Sequence, residues 1–169
     1  MSRLKHYFQQ TALETFSFDS HQNYEMNFSQ WEKGVNKTLY VTGLMGSGKS
    51  TYAKNLAQKH SCQHLNLDTL QQRVFDIEGK VTSDELYITR FKTELAKVIA
   101  RYDKLIVEGV QLLWFPEVIA PTDSVLILNV SFLRATFQSI QRDGLKNLFN
   151  NLSNNVQFQK DLKRFKNRF

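Results

Sequence analysis

Apolar residues recur along this chain with two alternating periods, and each change of period marks an element. Near-continuous apolar runs at 104–107 and 124–130, the run Leu39-Tyr40-Val41 within 38–42 and the short stretch 63–67 predict four β-strands. Runs of this kind suit parallel strands covered on both faces. Helical spacing fills the intervals. Ala53, Leu56 and Ala57 predict a helix from Thr51 to about His60, and Ile88, Phe91, Leu95, Val98 and Ile99 predict one ending near Arg101. Thr82-Ser83-Asp84-Glu85 has the form of a capping box and opens the second of these. Residues 69–81 show mixed character, with a turn at Glu78-Gly79-Lys80. Pro121-Thr122-Asp123 introduces the fourth strand.

Beyond Ser131 a helix carries Arg134, Gln138, Gln141 and Arg142, and Asp143-Gly144 breaks or turns it. Leu145, Leu148, Phe149 and Leu152 begin a new stripe; Ser153-Asn154-Asn155 interrupts it, and Phe158, Leu162, Phe165 and Phe169 resume it. No fifth parallel strand is evident after the first. The segment 1–37 contains Phe8, Phe16, Phe18, Tyr24, Phe28 and Trp31, with helical spacing over 4–16 and a second short element at Phe28 and Trp31. It reads as an extension packed on the core formed by 38–169, within a single-domain chain. The rival reading is an arm that docks a protein partner.

Between the first strand and its helix lies Gly43-Leu44-Met45-Gly46-Ser47-Gly48-Lys49-Ser50, which reads G-x-x-x-x-G-K-S. In a strand–loop–helix context this is a phosphate-binding loop. Gly43, Gly46 and Gly48 let the backbone amides, including that of Ser47, curl into an anion nest. The following helix N-terminus, at Ser50 and Thr51, adds positive potential. Lys49 is expected to reach the β- and γ-phosphates of ATP or GTP, and the Ser50 hydroxyl to meet Mg²⁺.

Further chemistry gathers where ligands bind on open parallel sheets, at the C-terminal strand ends. Asp68 follows the second strand and is a candidate to orient or deprotonate an acceptor hydroxyl, or to cap the next turn. Glu108 ends the third strand and is a candidate metal or nucleophile partner, or a buried carboxylate satisfied by amides. Arg134 and Arg142, two helical turns apart, could clamp transferring phosphate. Arg73 and Arg90 are candidates for gripping an acidic acceptor.

With 169 residues, 41% of them hydrophobic, the chain has the composition of a soluble globular protein, and no apolar run reaches membrane-helix length. The N-terminus lacks a secretory pattern and Cys62 is the only cysteine, which together suggest a cytoplasmic setting without disulfides. His6, His21, His60, His64 and Cys62 have no zinc-ligand spacing. The net charge of +6 is concentrated at the end, where Lys160, Lys163, Arg164, Lys166 and Arg168 stand against Asp161 alone. That tail is a solvated helix face or a nucleic-acid contact.

The loop at 43–51, Leu65-Asn66-Leu67-Asp68 and Ile106-Val107-Glu108-Gly109 together resemble the phosphate-loop kinases of small molecules. That superfamily includes adenylate, shikimate and uridine kinases, zeta-toxin-like sugar-nucleotide kinases and polynucleotide 5′-kinases. The resemblance spans about 38–143. It implies an α/β P-loop NTPase fold, with a parallel sheet of four to five strands in 2-3-1-4-5 order and an arginine-bearing lid after strand four. The lid here is sparse. The implied activity is Mg²⁺-dependent phosphoryl transfer from ATP to a small acceptor: a nucleoside, nucleotide or sugar derivative. A polynucleotide 5′-kinase and an NTP-binding switch or assembly protein are the alternatives.

Overall fold

The structure is a computed structural model that describes residues 23–78, 84–120, 122–143 and 148–168. The expected helix over 4–16, Gly79 and Lys80 of the expected turn, Thr82 and Ser83 of the capping box, and Gly144 lie outside the described residues.

The described strands are β1 (Tyr24–Met26), β2 (Thr38–Gly43), β3 (Gln63–Asn66), β4 (Leu105–Glu108) and β5 (Ser124–Leu128). They form one sheet in the order β1-β5-β2-β4-β3. The four strands anticipated from the sequence pair in parallel, with Val41 opposite Glu108, Asn66 opposite Glu108 and Gly43 opposite Leu128. Their spatial order is the expected 2-3-1-4. The fifth strand breaks that expectation. It comes from before the phosphate loop and is antiparallel, with Tyr24 opposite Ile127 and Met26 opposite Val125.

Side-chain contacts hold β1 there. Asn27 takes a left-handed conformation (φ 54°), donates to the Asp123 carbonyl (3.1 Å) and accepts from the Ser124 hydroxyl (2.8 Å). Asn36 donates to Ser124 Oγ and to the Thr122 carbonyl. Thus β1 covers the edge that β5 would otherwise expose.

Helices cover both faces. They are α1 (Phe28–Glu32), α2 (Lys49–Lys59), α3 (Leu67–Glu78), α4 (Asp84–Ile99), α5 (Phe132–Asp143) and α6 (Leu148–Lys166). Strand alternation divides the core. Leu39, Val41, Ile106, Leu126 and Leu128 pack on one face with Trp31 of α1 and with Ala53, Leu56 and Ala57 of α2. Tyr40, Leu105, Val107, Val125 and Ile127 pack on the other, with Leu67, Leu70 and Val74 of α3, Phe91 and Leu95 of α4, and Phe158, Leu162 and Phe165 of α6.

Two boundaries differ from expectation. The mixed stretch after residue 68 is helical from Leu67, because Asn66 Oδ1 accepts from the amides of Asp68 (2.7 Å) and Thr69 (3.2 Å). Asn66, not Asp68, is therefore the cap. Ser153-Asn154-Asn155 does not interrupt α6. Asn155 is fully buried and donates to Thr136 Oγ1 on α5 (3.3 Å), so that asparagine is an interhelical contact rather than a breaker.

Candidate active site

The loop after β2 owes its shape to three glycines with positive φ, of which Gly46 (φ 78°) is the most constrained. A Cβ at Gly46 would collide with the Ala135 carbonyl oxygen and stand 2.7 Å from Ser139 Oγ. The loop is thus pressed against α5, and only glycine combines that conformation with that approach. Gly48 also lies at positive φ (80°), but no described residue stands within 4 Å of its missing Cβ. The cradle is closed by α5 on one side and open on the other. Ser47 is buried, and its hydroxyl has no hydrogen-bond partner among the described residues. Lys49 and Ser50 begin α2 half-buried, and Thr51 is exposed.

Glu108, at the end of β4, is 1% exposed. Ser50 donates its hydroxyl hydrogen to this carboxylate, and the Asn66 amide donates to Oε1 (2.5 Å). Asn66 therefore joins two tasks: its oxygen caps α3 and its nitrogen holds Glu108. Burial raises the Glu108 carboxyl above the usual carboxylate range. Ser50, Lys49 and Asn66 oppose this, while the charge of Asp68 adds to it. His64 Nε2 lies 3.8 Å from Glu108 Oε1. Burial and, secondarily, Lys54 lower the His64 imidazole below its usual value, so this approach is not an ion pair at neutral pH.

The Glu108 shift has a measurable consequence. A raised folded pKa contributes stability that is fully present below the unfolded value and is lost as pH rises through the folded one. Glu108→Gln removes that loss. In metal-free, nucleotide-free protein, thermal melts from about pH 4 to about pH 8, a span covering the carboxylate range, are expected to show the variant gaining on the parent as pH rises. A gap that stays constant or narrows with rising pH would refute this.

Asp68 stands exposed in the first turn of α3, one strand outward from Glu108. Gln111, in the 3₁₀ turn Val110–Leu113 after β4, donates from Nε2 to Asp68 Oδ1 (2.6 Å) and to Gln71 Oε1 (2.9 Å). Gln111 is 2% exposed. Gly109 makes room for it, because a Cβ there would strike Gln111 Oε1 and come within 2.7 Å of Leu67 Cβ. The sequence assigned no function to Gln111, and it offered Asn66 only as part of the Leu65-Asn66-Leu67-Asp68 stretch. The only signal was their place at strand ends beside the two acidic residues.

The structure brings Lys49, Ser50, Glu108 and Asp68 to one edge. It does not bring Arg73 there. Arg73 lines a cavity of about 160 Å³ with Gln63, His64, Arg101, Tyr102 and the start of β4, against the outer strand. Arg90 is exposed on α4. Arg134 is exposed beside Ala135, the residue whose carbonyl closes over Gly46, and its amide is capped by Ser131 Oγ (3.3 Å). The Arg142 side chain lies outside the described residues.

Residues 39–114 match the family model of the AAA domain, a span running from β2 through the turn that carries Gln111. The matched span is less than half of the chain, and it is similar to a P-loop NTPase-like kinase family. The α/β sheet flanked by helices is the P-loop NTPase fold, and the match supports a nucleotide-binding, kinase-like unit. No curated protein matches the chain. No described helix is long and apolar enough to cross a membrane.

The residues of the loop and of the neighbouring strand end fit a nucleoside triphosphate with Mg²⁺. The cradle is open at Gly48, Ser47 holds an unmatched buried hydroxyl, and Ser50 is already turned to a buried carboxylate.

Proposed function

We propose that this chain is an ATP-dependent kinase that transfers the γ-phosphoryl group to a hydroxyl of a small acceptor. The observation that carries this reading is the pairing of two carboxylates at adjacent strand ends. Glu108 is hydrogen-bonded by loop Ser50, and Asp68, whose charge acts on Glu108, is held from below by Gln111. A nucleotide switch needs a mobile loop and a positioned water, not an anchored carboxylate at the acceptor end.

Lys49 and the loop amides hold the donor phosphates. Ser50 and Glu108 would hold Mg²⁺, which would neutralise phosphate charge. Asp68 orients the acceptor hydroxyl and takes its proton as its oxygen bonds to the γ-phosphorus. The bond to the β–γ bridging oxygen breaks and ADP leaves. Arg134 would meet charge on the transferring group; its exposure, next to the Ala135 whose carbonyl closes over Gly46, supports this.

The test is a transfer screen with labelled ATP against nucleosides, nucleotides, sugars and a 5′-hydroxyl oligonucleotide. Labelled product with one class is expected; none with any class sinks the reading. The oligonucleotide is included because α6 buries Phe158, Leu162 and Phe165 while Lys160, Lys163 and Arg164 remain exposed. Oligonucleotide binding that falls steeply with salt would favour a polynucleotide 5′-kinase.

Lys49→Ala is expected to weaken nucleotide binding by roughly 10- to 150-fold, the worth of a charged hydrogen bond. Calorimetric titration with a non-hydrolysable ATP analogue checks it. Unchanged affinity would remove Lys49 from phosphate binding.

A further inference from the structure

We infer that the acceptor subsite is the exposed first turn of α3, keyed by Gln111, and that it takes an uncharged compound bearing adjacent hydroxyls. The inference rests on the kinase reading above and narrows its substrate. An ionised carboxylate can only accept hydrogen bonds. The contact with Asp68 Oδ1 therefore fixes the nitrogen of the Gln111 amide toward Asp68. The second hydrogen on that nitrogen then needs an acceptor, which fixes Gln71 with Oε1 inward. Gln71 is left with its NH₂ directed away from Gln111, and Asp68 with its second oxygen.

Asp68 and Gln71 are three residues apart on one helix, so they share a face. Asp68 is exposed and Gln71 half-buried. Together they offer an acceptor and a donor side by side. That pattern suits two neighbouring hydroxyls, one giving its hydrogen to Asp68 and the other receiving one from Gln71. The ribose of a nucleoside and an unphosphorylated sugar share this chemistry.

Charge argues the same way. A phosphorylated acceptor seated at this turn would bring like charge against Asp68, and nearby like charges repel strongly where water is displaced. The cation best placed in sequence to offset it, Arg73, lies in the cavity against the outer strand with Arg101 and Tyr102. Two residues on from Gln71, it points to a different side of the helix.

The experiment measures binding and transfer separately. Protein saturated with a non-hydrolysable ATP analogue is titrated with ribonucleosides, their 2′-deoxy counterparts, their 5′-monophosphates and free pentoses. Transfer from labelled ATP is then assayed with the same compounds. Neutral compounds with adjacent hydroxyls are expected to bind, and their deoxy and phosphorylated counterparts to bind less tightly. Gln111→Glu sets a third acceptor against Asp68 and Gln71, and Gln111→Met removes the donor with little change of shape. Both are expected to raise the acceptor Kd about tenfold or more, as loss of a hydrogen bond to a charged group implies, and to leave the nucleotide Kd unmoved.

Tighter binding of the phosphorylated compounds overturns the inference. So does an acceptor Kd unmoved in both variants, or no binding of any neutral compound. Binding of neutral diols without transfer leaves the subsite standing and removes the kinase reading.

Discussion

Asp68→Asn is expected to lower acceptor phosphorylation by about 10²–10⁴-fold at saturating ATP, the range a positioned general base supplies. The substitution keeps the shape of the side chain and an oxygen that Gln111 can still reach, so α3 and its Asn66 cap should be undisturbed. What is lost is the proton acceptor. Nucleotide affinity should therefore stay at the parent value while kcat falls. Single-turnover transfer and calorimetric titration on the same preparation separate these quantities. If kcat is retained, Asp68 acts only in the fold. If nucleotide affinity and kcat fall together, the substitution has disturbed the loop, and the assignment of Asp68 to the acceptor end is wrong.

Trp31→Ala is expected to destabilise the protein by about 3–5 kcal/mol, the usual cost of truncating a buried large aromatic side chain. Trp31 is fully buried. Its ring lies 6.0 Å from Phe28 and meets His60 edge-on at 4.9 Å, and the Lys104 ammonium stands 4.4 Å from its centroid. Around it are Leu39, Val41, Leu56 and Ala57, from the loop-bearing strand and helix. A void there would loosen α2 against β2, the two elements that flank the phosphate loop. Such a loss is a large fraction of the roughly 5–15 kcal/mol that separates folded from unfolded small proteins. Urea unfolding curves measure it. A loss below about 1 kcal/mol, the level of an ordinary surface substitution, would mean that α1 is detachable from the sheet.

That location changes what the aromatic N-terminal segment means. Its aromatic content alone allows both a packed extension and a docking arm. Trp31 and Phe28 are occupied against the sheet, and Tyr24 lies in β1. Phe8, Phe16 and Phe18 lie outside the described residues.

The phosphate loop and the four parallel strands were legible in the sequence because each depends on neighbours along the chain. Glycine spacing sets a local backbone path, and an apolar run of a few residues announces a strand buried on both faces. Asp68 and Glu108 could be singled out by the same means, since the end of a strand is a local address. The helix from Leu67 was also announced by Leu70 and Val74, and it was obscured by reading Leu67 into the strand.

What lay beyond reach depends on residues distant in sequence. The antiparallel β1 pairs Tyr24 with Ile127, and no periodicity in either segment reports its partner. Arg73 and Gln71 are two positions apart on one helix. Only the packing of α3 on the sheet sends one to the outer-strand cavity and the other to Gln111. Gln111 itself is an unremarkable amide until the turn after β4 carries it beneath Asp68, through the space Gly109 leaves. The sequence by itself determined the donor end of the site, where one loop folds on its own backbone. The tertiary structure alone decided the cluster of Asp68, Gln71 and Gln111 that we propose as the acceptor end, because side chains distant in sequence must meet before their hydrogen-bond directions are set.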